Sequence, residues 1–261
     1  MDTFMPGFSQ RDITVDGVRV AVLEAGSGEP LVYFHGAGAG RGFDELLPLA
    51  RQRRVIVPIH PGFGASDDDP GITAILDYVV HYGALFDELG LTAPVDIIGH
   101  SLGGWIASLF AIFSGHRVRK LALVCPAGLR VPEHPGADLF MIPPEALPSR
   151  LVASPEMLAA LTQGPVTNEM RIARYREMTS LARLIWDRAC EPKLDHWLKR
   201  VTAPTLLLWG REDRVLPAAQ AEHWARRLGA TPEIATFDGV GHLVLMETPR
   251  AVERIERFLD T

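Results

Sequence analysis

Ser101 stands in Gly99-His100-Ser101-Leu102-Gly103, a G-x-S-x-G pattern. A serine hydroxyl is a weak nucleophile at neutral pH, so chemistry there needs a base beside it. The short apolar run Val95-Asp96-Ile97-Ile98 precedes the pattern, and residues 102–113 read as a helix. Strand, tight turn and helix is the setting this pattern requires. Such a turn strains its central residue, and Gly99 and Gly103 remove the Cβ atoms that would clash there. The start of the following helix favours negative charge developing near the hydroxyl. Nine histidines are present, so histidine alone proves little. His242, in Gly239-Val240-Gly241-His242, is the candidate base, on a glycine-flanked loop after the extended run 233–237. Glu212 and Asp213, at the end of the run 205–208, are rival acids. An acid there would hold the imidazole in its useful tautomer and stabilise the imidazolium. The chemistry these residues would support is acyl transfer, in the chain order serine, acid, histidine.

Acyl transfer builds negative charge on the former carbonyl oxygen. Fixed N–H donors stabilise it by roughly 3–4 kcal/mol each. The amide of Leu102, directly after Ser101, is the first expected donor. The second is expected from His35-Gly36-Ala37-Gly38-Ala39-Gly40, where three glycines let backbone approach a substrate. Ala37 is the expected donor, and His35 and Gly36 are read as its support. This loop lacks G-K-[ST] and G-x-G-x-x-G, so it is not a nucleotide cradle.

These residues must be held by a sheet. The runs 31–34, 55–57, 95–98, 121–124 and 205–208 are apolar without polar alternation, as in strands buried on both faces. Helix-length stretches at 72–89, 102–113 and 218–228 alternate with them, which implies an α/β fold with a mostly parallel sheet. Residues 13–24 are broken by Asp16-Gly17 and read as a hairpin. The alternation fails between residues 127 and 199. That stretch is rich in Pro, Met, Leu and Arg, with helical regions at 155–163 and 168–189. It is expected to be a helical cap over the strand ends, inserted into a core of residues 1–126 and 200–261. Its Phe140, Met141 and Trp186 are candidates to line a mostly apolar pocket above Ser101.

The chain has 261 residues, 47% hydrophobic and 22% charged, with a formal net charge of −6. A chain this long buries roughly three-quarters of its unfolded surface, so it needs no structural metal or disulfide. The acidic balance argues against nucleic acid as a partner. Cys125 and Cys190 are far apart in sequence and read as two free thiols, consistent with a reducing compartment. Residues 1–11 carry no basic start with an apolar core, and no apolar run is long enough to span a bilayer. The expectation is a cytoplasmic protein with a small-molecule substrate and no membrane partner. The sequence leaves its oligomeric state open.

Phe34-His35-Gly36, His60-Pro61-Gly62-Phe63-Gly64-Ala65-Ser66-Asp67, Gly99-His100-Ser101-Leu102-Gly103-Gly104, Trp209-Gly210-Arg211-Glu212-Asp213, Gly241-His242 and Glu247-Thr248-Pro249 resemble, in order and spacing, the α/β-hydrolase fold family. The resemblance runs from about residue 13 to 259 and is weakest over the insertion. It implies an eight-stranded, mostly parallel sheet flanked by helices, a helical cap, and no cofactor or metal. It favours Asp213 over Glu212, giving a triad of Ser101, Asp213 and His242. It makes Glu247 a buried support near the histidine loop, alongside Gly99, His100 and Gly103. His60 departs from an Asp often found near its position. Related enzymes include esterases, lactonases and C–C bond hydrolases of ring-cleavage products. A serine nucleophile separates this chain from relatives that use a carboxylate. The C–C hydrolases usually carry Asn immediately before the nucleophile, where this chain has His100. The sequence therefore ranks hydrolysis of a small apolar carboxylic ester or lactone first. C–C hydrolysis of a vinylogous diketone comes second, with Arg171, Arg174 or Arg176 as anion holders or as a solvated face. A peptidase on short peptides and a non-enzymatic receptor rank lower.

Overall fold

The computed structural model describes residues 7–38 and 43–261. The chain opens with β1 (Ser9–Val15) and β2 (Val18–Ala25), joined at Asp16 and Gly17, both with positive φ (50° and 85°). Two positive φ values in a two-residue loop match the twist of the flanking strands. There follow β3 (Glu29–Phe34), β4 (Arg53–Pro58), α1 (Ile75–Glu88), β5 (Val95–His100), α2 (Leu102–Phe113) and β6 (Val118–Val124). A helical segment comes next: α3 (Leu147–Leu151), α4 (Pro155–Thr162), α5 (Asn168–Ile185) and α6 (Leu194–Trp197). The chain then returns to β7 (Thr205–Gly210), α7 (Gln220–Ala225), β8 (Glu233–Phe237), α8 (Val244–Glu247) and α9 (Pro249–Asp260).

The strands form one eight-stranded sheet in the order β1-β2-β4-β3-β5-β6-β7-β8. Only β2 runs against the rest, pairing antiparallel with β1 and β4, while β3 to β8 pair in parallel. Every residue of β5 and β7 is buried, which explains their unbroken apolar runs. In α2, Leu102 through Ile112 are all buried, so this helix is apolar all round. By contrast α9 is two-faced and buries Ala251, Val252, Ile255, Phe258 and Leu259. No helix among the described residues is long and apolar enough to cross a membrane.

The strand order sets the position of the site. From β3 the chain steps to β4 on one side, and β5 then lies on the other. In open parallel sheets the strand ends at such a switch point leave a crevice where ligands bind. Ser101 follows β5, and the glycine-rich loop follows β3.

Candidate active site

Ser101 adopts φ 53° and ψ −114°, a conformation that costs a non-glycine residue of order 1–3 kcal/mol. The fold enforces it from both sides. The Ser101 N–H donates to the Val124 carbonyl (2.9 Å), and the Ser101 carbonyl accepts from Trp105 and Ala127 (3.1 and 3.0 Å). A Cβ on Gly103 would lie 2.0 Å from the Phe34 oxygen, and one on Gly99 would lie 2.5 Å from the Gly103 oxygen. The turn is thus closed by backbone packed on backbone, which only glycine permits.

His242 and Asp213 are brought together, each almost wholly buried, with Nδ1 donating to Asp213 Oδ2 at 2.7 Å. The other carboxylate oxygen accepts the N–H groups of Val215 and Leu216, both at 2.8 Å. Burial alone would raise the Asp213 pKa. His242 and the two amides outweigh it and hold the carboxyl below its ordinary value. Glu212, the rival acid, instead accepts the Val240 N–H at 3.0 Å. No hydrogen bond joins Ser101 Oγ to His242 among the described residues. Such contacts are often long without substrate and tighten on binding.

The histidine loop rests on two elements. Glu247 accepts the Gly241 N–H (2.6 Å) with one oxygen and the Ala153 and Ser154 N–H groups (2.8 Å each) with the other. The Leu151 carbonyl accepts the N–H groups of His242 and Leu243 (2.8 and 3.0 Å). Residues 151–154 belong to the helical insertion, so the insertion helps hold the loop that carries His242. Nothing in the sequence signals Leu151, because its contribution is a main-chain oxygen.

Leu102 N–H, at the first position of α2, has no carbonyl four residues back within the helix. Neither it nor Ala37 N–H meets a protein acceptor among the described residues. Ala39 and Gly40, the end of this loop, lie outside the described residues. Behind the loop is a buried ring cluster. The His60 N–H donates to His35 Nε2 (2.9 Å), so His35 carries its proton on Nδ1 and donates to the Gly36 carbonyl (2.7 Å). His60 Nε2 donates to the His35 carbonyl (2.8 Å), and His60 Nδ1 accepts from the Tyr82 hydroxyl. The two imidazoles stack with centroids 3.7 Å apart. Burial holds both neutral, pulling His35 down to about 4 and His60 well below its ordinary value. His60 is therefore a buried brace for the loop.

His100 has the same character. Its Nε2 donates to the His242 carbonyl (3.0 Å), and burial pulls its pKa down to about 3. Gly36 lets the loop pass this ring, since a Cβ there would stand 3.3 Å from His100 Nδ1. Around the insertion the picture is more open. Met141 and Trp186 are 78% and 68% exposed, and Phe140 packs against Trp186 with centroids 5.1 Å apart. Arg171 and Arg176 are exposed, and Arg174 donates to the Pro144 carbonyl (3.2 Å).

Both cysteines are free. Among the described residues, the one cluster close enough to share a metal ion is Cys125, Asp213 and His242, whose donor atoms lie within 4.8 Å of one another. Burial pushes the Cys125 thiol well up, and the carboxylate and imidazole already bond each other. That donor set is spent on hydrogen bonds rather than prepared for a cation.

A sequence model described as the alpha/beta hydrolase family matches residues 31–255. The chain is 28% identical to a 2-hydroxy-6-oxo-2,4-heptadienoate hydrolase of Pseudomonas putida, over 94% of each chain. A meta-cleavage product hydrolase from Pseudomonas fluorescens superposes with a TM-score of 0.80 at 22% identity, covering 96% of this chain and 97% of that one. A thermophilic esterase from Thermogutta terrifontis does so at 0.76 and 24% identity, covering 97% and 98%. At these identities the two structures speak for the fold alone. The strained serine after β5, the histidine–aspartate pair beyond β7 and the match over most of the length agree: the chain belongs to the alpha/beta hydrolase family.

Proposed function

We propose that this protein is a serine hydrolase that cleaves a C–C bond in a vinylogous diketone acid of the ring-cleavage type. The observation that carries this reading is the full-length likeness to the 2-hydroxy-6-oxo-2,4-heptadienoate hydrolase. Sequence motifs alone place ester hydrolysis first; the relatives reverse that order. In this reading His242 takes the Ser101 proton as the oxygen attacks the carbonyl. The Leu102 and Ala37 amides receive the oxyanion. The dienol of the substrate first tautomerises, its hydroxyl proton moving to the carbon beside the ketone; the C–C bond then breaks as its electron pair moves into the vinylogous carbonyl so formed, giving a dienolate that takes the proton from His242. Water, activated by His242, then releases the acid from Ser101. The helical insertion acts as a cap that selects the substrate.

Ester or lactone hydrolysis is the second reading, and specific observations favour it. A dienolate leaving group spreads negative charge several bonds from the oxyanion, so a cation near its far end would help. The cap arginines are occupied elsewhere or exposed: Arg174 bonds Pro144, Arg183 is paired with Asp68, and Arg171 and Arg176 face solvent. His100 also stands where the C–C hydrolases usually carry Asn. The deciding experiment compares turnover of 2-hydroxy-6-oxo-2,4-heptadienoate with p-nitrophenyl acetate to decanoate, using Ser101→Ala as control. Fast Ser101-dependent diketone cleavage with weak ester turnover supports the first reading. Strong ester turnover with a chain-length optimum and an inert diketone overturns it in favour of the second.

A further inference from the structure

Cys125 stands at the turn after β6, between the elbow that carries Ser101 and the strand that leads to Asp213. It is fully buried, with φ 43°, in the left-handed region that a side chain with a Cβ rarely adopts. Its N–H donates to the Leu208 carbonyl on β7 (2.9 Å), one residue after Val124 has accepted the Ser101 N–H. The backbone is therefore pinned on both sides, and the strain aims the thiol at a fixed point. That point is the acid–base pair: Sγ, a carboxylate oxygen of Asp213 and a ring nitrogen of His242 lie within 4.8 Å of one another.

The hydrogen-bond accounting leaves a place for this thiol. A carboxylate offers about four lone-pair positions. Asp213 Oδ1 fills two of its own with Val215 and Leu216, and Oδ2 fills one with His242. Burial first, and then the nearby charge of Asp213, push the Cys125 thiol well up, so the sulfur beside the carboxylate carries its proton. A neutral thiol fits this arrangement, with its one proton available to the carboxylate. A second carboxylate at this place would repel Asp213. An aliphatic side chain would leave Oδ2 one donor short.

We propose that Cys125 is a positioning residue whose S–H donates to Asp213 and sets how strongly that carboxylate holds the His242 imidazolium. Each donor on Asp213 spreads its charge and lowers the basicity that His242 feels. Removing the thiol donor raises the His242 pKa, and a hydroxyl in its place restores or lowers it. The other ionisable groups around the pair stay in place in this comparison. They are His100, which bonds the His242 carbonyl, Glu247, which bonds the Gly241 N–H, and Glu212, which bonds the Val240 N–H.

The inference rests on the triad reading but needs no substrate. The test is an NMR titration of the imidazole resonances of the full chain in a Ser101→Ala background. His242 is identified by the signal that disappears in His242→Gln. Three forms are compared: the parent, Cys125→Ala and Cys125→Ser. The expected result is a His242 pKa raised by roughly half a unit in Cys125→Ala, with Cys125→Ser at or below the parent. An unchanged or lowered value in Cys125→Ala, or a Cys125→Ser variant that follows it upward, overturns the proposal, because lost packing alone would move both alike. If Cys125→Ala fails to fold, the near-isosteric Cys125→Ser decides by the sign of its own shift. An inactive Ser101 enzyme with the expected titration would keep this inference while sinking the choice of substrate. A His242 that does not respond to Asp213→Asn would instead sink the triad reading beneath both.

Discussion

The strand ends that carry the chemistry and the helical insertion between β6 and β7 are held by different forces. Around Ser101, strands β5 and β7 are buried throughout, α2 is buried along all but its last residue, and Gly103 packs directly on the Phe34 carbonyl. In the insertion, α4 buries no residue and α5 buries only Ser180 and Leu181 of its 18. Its attachment to the core is mixed: Leu181, Leu194 and Leu198 join the core cluster and Met178, Leu184 and Ile185 pack against it, beside a set of polar ties. Along one side of α5, Glu177 accepts the Gly64 N–H (3.2 Å), Ser180 Oγ donates to the Gly62 carbonyl (2.9 Å), and Arg183 pairs with Asp68 (2.6 Å). Close packing tolerates little displacement, whereas a segment with fewer buried residues and partly exposed ties opens at lower free energy. The elbow at Ser101 is thus mounted on the more closely packed of the two regions.

That contrast can be broken in order of effect. Ser101→Ala should abolish turnover by roughly four to six orders of magnitude while leaving the thermal midpoint near that of the parent. Single-turnover rates and a melting curve check this, and retention of a tenth of the activity would remove the serine from its role. The buried histidines give the next largest effect. His35 and His100 have folded pKa values of about 4 and about 3, below the ordinary 6.5, so the unfolded chain binds their protons first. Their cost is therefore absent well above 6.5 and grows as pH falls toward those folded values. Each contributes a slope of up to about 1.4 kcal/mol per pH unit. Asp213, shifted downward, adds a loss only as pH falls through its own lowered value. Urea unfolding across this acid range should show the decline, with a shallower slope in His35→Asn. An unchanged slope would mean that His35 is not held neutral.

Glu247→Gln tests the seam between the two regions. It keeps one acceptor oxygen but cannot serve both Gly241 and the Ala153–Ser154 pair. A stability loss of about 1–3 kcal/mol and a lowered kcat are expected together. Lost stability at full kcat would show that the insertion does not help to aim His242. The smallest effect is expected from Arg183→Ala, whose partner is 44% exposed on its side chain. Stability should change by no more than about 1 kcal/mol, with KM rising several-fold and kcat kept. A kcat that fell with KM unchanged would place this tie among the catalytic supports instead.

The same contrast governs what could be read from the residues. The sequence expectations located all eight strands, and α2 matches residue for residue, because buried parallel strands and an all-apolar helix leave unbroken signals. Helices fared less well where they are short or solvated. The stretch read as helical at 168–189 ends at Ile185, the 218–228 stretch is helical only over Gln220–Ala225, and α3 and α6, of five and four residues, left no periodicity to find. At the site, motif and chain order pointed to Ser101 and His242, while only the family resemblance chose Asp213, which bonds His242, over Glu212. The Leu151 carbonyl, the Cys125 thiol and the Tyr82 hydroxyl were not legible. Each acts through a contact between segments far apart in the chain, and local spacing carries no record of such contacts.

The double acceptance at Leu151 has a consequence for recombining this protein with its relatives. The boundary suggested by composition treats everything from 127 to 199 as an exchangeable module. Yet the carbonyl of Leu151 and the amides of Ala153 and Ser154 hold His242, Leu243 and, through Glu247, Gly241. A transplant of that whole stretch would carry away part of the mounting of His242 along with the helices of the insertion. The sound junction for a chimera lies after Ser154, with residues 151–154 inherited together with Glu247 from a single parent.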